Sequence, residues 1–394
     1  MNKILKLTPA IFVLFGLGAC LSEPLSRNFI RVLFLIFFAM IWNKKVSLRD
    51  AAPYSKILLL MVAFMLWLGV SYVWGGMQIP LDDDAIEWIL FSHDMLIFFL
   101  LGVMIREEKI LTGILTALGL SLMIDNFYIF YQVAQNVERP ITFLHGSIAQ
   151  STMFYIILLP MLLVLALRDN VNFGRRIFDL AIFFTSLAAC VMINTRGAWL
   201  DLAIVLPLIL AYRLRSRKKI LAAIMAFVIA GGIFLTVSPQ TFNRLQTIAT
   251  VNSEQSVTER FLMWRSAINA IADNPLMGVG LGNYEAQYRE NYILDEAKER
   301  SQGHAHNVYL QFWAETGLPG LILFCALFGY ILVWSWRRAG NFYGLIIFSA
   351  TLDFMLYGLT DYTFSSFSAM RVYWLMFGAC VVGIKLTERK NFSI

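Results

Sequence analysis

Charge is scarce in this chain. Of its 394 residues only 15% are Asp, Glu, Lys or Arg, where soluble domains carry about 25%. That deficit excludes a soluble enzyme, and a disordered chain as well, since disorder goes with high charge and few apolar residues. Cysteine is equally sparse. Cys20, Cys190, Cys325 and Cys380 sit singly inside apolar runs with no C-x-x-C pair, which removes a disulfide framework and a zinc cluster. They read as small packing residues. What fills the chain is hydrocarbon: 59% apolar residues, with 32 Phe, 17 Met and 10 Trp, and a mean hydropathy of +0.66. A soluble interior of this size cannot hide so much apolar surface. The expected fold class is an all-α polytopic membrane protein.

A spanning helix needs about 20 mostly apolar residues. Twelve candidates follow: 7–22, 28–42, 56–74, 86–105, 110–134, 149–167, 177–194, 197–212, 219–237, 306–335, 341–358 and 366–386. The first two are short and form a tight hairpin. The N-terminus imitates a signal peptide, with Lys3 and Lys6 before an apolar run, but the topology works better with it kept as the first span. With the N-terminus cytoplasmic, 21 of the 32 basic residues fall in cytoplasmic loops, as the positive-inside bias requires. Both termini are then cytoplasmic. That bias accounts for most of the +6 net charge, and no nucleic acid is needed. The chain is expected to be one integral membrane domain, 1–394, with a periplasmic loop at 238–305 between the ninth and tenth spans. So long a connection carries function.

Within that loop, Ser256 followed by Glu259 has the spacing of a capping box. Phe261, Trp264, Ile268 and Ile271 then mark one face of a helix, which Asp273-Asn274-Pro275 ends. Arg260 and Arg265 can project from it toward a polar cleft. The following G-V-G-L-G-N-Y lacks the preceding strand of a nucleotide motif and reads as a tight turn. Arg196 lies at the outer rim in N-T-R-G, where an arginine either snorkels to headgroups or acts on substrate. His304-Ala305-His306-Asn307 opens the tenth span on the same face. A metal pair two residues apart on a helix would not share a face, so no metal is expected. A neutral imidazole serving as general base suits His306 better, while His304 caps the helix or meets headgroups.

Other ionisable groups lie within apolar stretches: His93, Asp94, Asp125, Asp201, Asp353 and, opening the last span, Arg371. Such groups face the bundle interior, and their scattered positions fit packing and interhelical hydrogen bonds at least as well as a relay. Asp82-Asp83-Asp84 suits the start of the fourth span, where carboxylates complement the helix dipole.

The order of these motifs is specific. N-T-R-G leads into a span, T-E-R and N-P-L-M-G-V-G follow in a long outer loop, and H-A-H-N-V-Y-L-Q-F-W-A-E-T-G-L-P-G-L enters the next helix. Over about Asn194 to Leu321 the chain resembles the O-antigen ligase family of bacterial inner membranes. The resemblance implies a glycosyltransferase of the GT-C type that uses no cofactor or metal. It would transfer a glycan from undecaprenyl diphosphate to lipid A–core oligosaccharide at the periplasmic face, with inversion. Carried over by position, Arg196 matches the arginine after the seventh span, Arg260 the loop arginine, and His306 the histidine before Asn. Arg265, Arg289 and His304 are further substrate-binding candidates. Guanidinium groups bind phosphate oxygens bidentately and stay charged, so Arg196 and Arg260 can hold a leaving diphosphate without a metal.

Related readings share the R…H pattern: an O-antigen polymerase, or a protein O-oligosaccharyltransferase, for which a longer C-terminal region than one ending at Ile394 is expected. A lipid-glycan transporter is a different class. It would show internal repeats and charge at the bilayer midplane, whereas here no internal repeat is seen and the cations of the motifs, Arg196 and Arg260, lie at the outer rim.

Overall fold

A run of twenty apolar residues has one stable form in hydrocarbon, because each backbone N–H and C=O must find its partner within the segment. The computed structural model describes residues 2–43, 55–76, 94–143, 147–214, 255–301 and 303–392 with positions 216, 218 and 221, and among these residues there are helices and no strand. In chain order the helices are α1 (Asn2–Gly18), α2 (Glu23–Trp42), α3 (Ser55–Trp74), α4 (Ile97–Met104), α5 (Glu108–Ala134) and α6 (Ile148–Ala166). They continue as α7 (Phe173–Met192), α8 (Arg196–Leu214), α9 (Gln255–Asp273), α10 (Val308–Trp336), α11 (Phe342–Tyr357) and α12 (Phe367–Phe392). Seven helices are long and apolar enough to cross a membrane, and Leu7–Gly18 and Phe342–Tyr357 are apolar but shorter. The architecture is that of a polytopic membrane protein. Eleven of the twelve candidate segments coincide wholly or in part with these helices. The ninth, the start of the long loop, Asp82-Asp83-Asp84 and His93 lie outside the described residues.

Helices joined by the described turns run in opposite directions, which gives the bundle two ends. One end gathers the turns at 19–22, 193–195 and 358–366, residues 135–143 and the start of α10. The other gathers 105–107, 167–172 and 337–341. Helices α6 and α12 are buried along most of their length. Stacked rings tie α10, α11 and α12 together, with centroids 4.9 Å apart for Phe312 and Phe324, 5.4 Å for Phe328 and Phe354, and 5.4 Å for Phe354 and Tyr373. By contrast, α3 exposes Leu59, Leu66 and Val73, a face suited to hydrocarbon rather than water. The intramembrane charges have separate uses. Arg371 pairs with Asp94 at 3.0 Å and Glu23 at 3.6 Å, and Asp125 accepts from the Phe143 N–H at 2.9 Å. Asp201 and Asp353 are buried.

One sequence expectation for α9 is corrected. Glu259 does not close a capping box: its buried carboxylate accepts from the Lys298 N–H at 3.1 Å and the Glu299 N–H at 3.3 Å. Of the apolar face read from the sequence, Phe261 and Ile268 are each 52% exposed. The buried stripe is Met263, Ala267, Ala270 and Ile271, packed on Tyr284, Tyr288, Ala305 and Ala314. Periodicity selects the largest apolar side chains, but the narrow space between α9 and α10 admits alanines, which let the backbones approach.

The glycine segment after α9 is a structural strap, in keeping with the turn reading. Gly278 and Gly280 adopt φ of 68° and 97°, which L side chains resist. The Val279 and Gly280 N–H groups donate to the Ala314 and Glu315 carbonyls at 2.8 and 2.9 Å. Those carbonyls are accessible because α10 breaks at Gly317 (φ 69°, ψ −178°). The buried Glu315 carboxylate then accepts from the Gly282 N–H at 3.1 Å. The E-T-G-L-P-G motif therefore makes the break into which the strap seats.

Candidate active site

The start of α8 is fixed by its neighbours. Asn194 sits at φ 62°, a left-handed position that asparagine tolerates, and its amide donates to the Glu138 carbonyl at 2.9 Å. A Cβ on Gly197 would lie 2.7 Å from Thr360 Oγ1, so glycine here lets α8 abut the turn after α11. Arg196 is thereby held at the rim, and its Nη2 donates to Ser256 Oγ at 3.2 Å. Ser256 thus ties the first turn of α9 to α8 instead of capping α9.

The start of α10 is fixed as firmly. Asn307 is its N-cap, accepting from the Tyr309 and Leu310 N–H groups at 3.0 Å each, an arrangement worth about 1 kcal/mol. Its amide also donates to the Leu359 carbonyl at 3.0 Å, and the Val308 N–H donates to the Gly358 carbonyl at 2.8 Å. The two histidines precede this cap in non-helical backbone, with His306 at φ 48°. Neither caps the helix. Their rings lie 4.4 Å apart, so the helical argument against a shared face does not apply.

Both rings meet Asp361, which the sequence reading had not singled out. His306 Nδ1 is 3.0 Å and His304 Nε2 is 3.9 Å from Asp361 Oδ1. The Tyr362 N–H donates to the same oxygen at 2.8 Å, and Tyr357 OH donates to Oδ2 at 2.9 Å. Burial works to raise the Asp361 pKa, but the His306 hydrogen bond, both imidazoles and Arg260 outweigh it and hold the carboxyl below the usual carboxylate range. Burial first, then His306, lowers His304 to about 4, so His304 is neutral at neutral pH. An ionised Asp361 can only accept. The proton between it and His306 therefore sits on Nδ1, and Nε2 is the ring nitrogen that Asp361 leaves unengaged. The ligand atoms of His304, His306 and Asp361 lie within 4.8 Å of one another, a spacing that also suits a divalent ion.

Beside this pair is a cavity of about 90 Å3 lined by Arg139, Arg196, Arg260, Ser256, Tyr357 and Thr360 among others. Three guanidinium groups converge on it from the segment 135–143, α8 and α9. Tyr357 joins the two parts, since it lines the cavity and donates to Asp361. The arrangement can hold a phosphate-bearing group beside an imidazole oriented as a base. Arg265 is exposed on α9 and does not line the cavity. Arg289 is exposed too and pairs with Glu290 at 3.5 Å. Sequence reasoning missed Arg139 and Asp361. The available signal for each was an ionisable residue in a connection on the same face as Arg196.

The model of the O-antigen ligase family matches residues 181–325, so the resemblance read from the sequence is found again. The matched segment contains Arg196, Arg260 and His306 but neither Arg139 nor Asp361. A ComP-specific O-oligosaccharyltransferase of Acinetobacter baylyi is 22% identical over 86% of this chain and 58% of its own length. The exopolysaccharide production protein ExoQ of Rhizobium meliloti is 29% identical over 35% of this chain and 32% of its own. A Haemophilus influenzae protein without an assigned function is 25% identical over 38% of this chain and 41% of its own. The chain thus spans less than two thirds of each of these relatives.

Proposed function

We propose that this chain is an O-antigen ligase, a GT-C-type glycosyltransferase of about twelve spans in a bacterial inner membrane, with the site at the periplasmic face. It would move a glycan from undecaprenyl diphosphate to lipid A–core oligosaccharide. The observation that carries the reading is the three-arginine cavity joined through Tyr357 to the His306–Asp361 pair. In the proposed step, His306 Nε2 takes the proton of an acceptor sugar hydroxyl as its oxygen attacks the anomeric carbon. The bond from that carbon to the diphosphate oxygen breaks, and the leaving diphosphate takes the electron pair. Arg139, Arg196 and Arg260 neutralise the charge that develops on it. One displacement from the opposite face inverts the centre, and no metal is required. Asp361 holds the His306 ring and stabilises the imidazolium that forms. His304, neutral and adjacent, remains a substrate contact, while Arg265 and Arg289 are left to more distant sugars.

A second reading keeps the donor chemistry and changes the acceptor to a protein. It is favoured by the match to the Acinetobacter oligosaccharyltransferase over 86% of this chain. The test is transfer in vitro with purified protein, undecaprenyl-diphosphate glycan and rough lipopolysaccharide in the presence of EDTA, with His306→Ala and Arg260→Ala alongside. A ladder of glycosylated lipopolysaccharide from wild type alone supports the ligase. Lengthening of the lipid-linked glycan instead would make it a polymerase, and transfer only to an added protein acceptor would favour the second reading.

A further inference from the structure

A second cavity lies a full bundle length from His306, at the end where the turns 105–107, 167–172 and 337–341 meet. Helix α8 separates Arg196 at one end from Arg213 near the other, about 25 Å at 1.5 Å per residue, so the two sites share no residue. Its volume is about 620 Å3, and Arg168, Arg213, Arg337 and Arg338 all line it. Three carboxylates also line it, and behind the lining Asp179 is shared between Arg168 at 3.6 Å and Arg175 at 2.8 Å, which leaves one positive charge over. Asp169 is taken by Arg213 at 2.8 Å and Glu388 by Arg338 at 3.3 Å, while Glu108 is the third. Arg337 has no carboxylate partner among the described residues. The buried Nε atoms of Arg168 and Arg213 make no hydrogen bond, and a buried guanidinium N–H without an acceptor is costly.

Two further features point to a phosphate. The cavity opens at Asn341 and Phe342, the start of the 16-residue helix α11; the Asn341 side chain caps the Tyr343 N–H at 3.0 Å, and the positive end of the helix dipole favours anions there. Gly344 lets the backbone of Arg338 lie directly on that first turn, since a Cβ there would overlap the Arg338 carbonyl. The depth fits as well. The Tyr212 and Trp336 rings meet at a tilt with centroids 5.6 Å apart, and Arg338 lies 4.5 Å over the Trp334 ring, a group of aromatics of the kind that collects at headgroup level.

We propose that this cavity is a binding site for a phosphate-bearing group, supplied by the headgroup of an anionic phospholipid in the leaflet it faces. The site is separate from the transfer site and does not depend on its assignment. The test uses the full-length protein in nanodiscs of equal parts phosphatidylglycerol and phosphatidylcholine, with retained lipid read by native mass spectrometry. Wild type should keep phosphatidylglycerol in preference to phosphatidylcholine. Arg168→Gln with Arg337→Gln should reduce that preference by about fivefold per charge removed. Lys109→Gln, which removes an exposed charge at the same end but outside the cavity, should leave it unchanged. Arg337→Gln alone, at an exposed position, serves if the double variant does not fold. Displacement of the retained lipid by inorganic phosphate would support the phosphate site and assign it to a soluble source. Equal retention of both lipids by wild type, or an unaltered preference in Arg337→Gln and the double variant, would overturn the proposal.

Discussion

Asp361→Asn is the substitution that separates an oriented base from a histidine that merely lies nearby. Asparagine keeps the shape of the side chain, so the Tyr357 and Tyr362 hydrogen bonds can persist in part, but the charge facing His306 Nδ1 at 3.0 Å is lost. A hydrogen bond to a charged group is worth about 1.5–3 kcal/mol, which predicts a fall in kcat of about 10- to 150-fold. The donor KM should change little, because Asp361 does not line the arginine cavity. Initial rates of glycan transfer at saturating lipid-linked donor measure this, with a melting curve to establish that the variant is folded. Because groups acting as one unit are not additive, adding Asp361→Asn to His306→Ala should cost nothing beyond His306→Ala alone. A folded Asp361→Asn enzyme with a wild-type rate, beside an inactive His306→Ala, would refute the positioning role.

Other predictions follow from the same geometry. Arg139→Gln should raise the KM for the diphosphate-linked donor while leaving acceptor KM near wild type, and equal effects on both would remove Arg139 from the donor cavity. The His304 pKa is lowered from 6.5 to about 4, so the unfolded state binds the extra proton first. Stability is then fully present above about pH 6.5 and declines toward pH 4, by at most about 3 kcal/mol. His304→Gln should flatten the fall in Tm over that window. Gly317→Ala forces a Cβ into the Leu276 backbone at φ 69°, and should destabilise by more than about 2 kcal/mol, read as a lower Tm. Transfer should persist in EDTA, and a loss restored by a divalent ion would assign His304, His306 and Asp361 to a metal.

The sequence alone determined the class of the molecule and much of its outline. Scarce charge and long apolar runs dictate spanning helices, since hydrocarbon tolerates no unsatisfied backbone, and the segments so read coincide with eleven observed helices wholly or in part. Arg196, Arg260 and His306 were legible as candidates because their motifs are local: N-T-R-G, T-E-R and H-A-H-N each name their residue within a few positions. The tertiary structure decided what local pattern cannot carry. Asp361 is 55 residues from His306 in sequence, and only the return of the chain through α10 and α11 brings it to the imidazole. Arg139 enters the cavity from a third connection. On α9 the buried face follows the narrow gap to α10 rather than the bulk of its own side chains. In the strap, a glycine series compatible with several readings becomes structural because α10 breaks at Gly317 and offers its carbonyls. Periodicity reports which face of a helix is apolar, whereas the shape of the partner decides which face is buried.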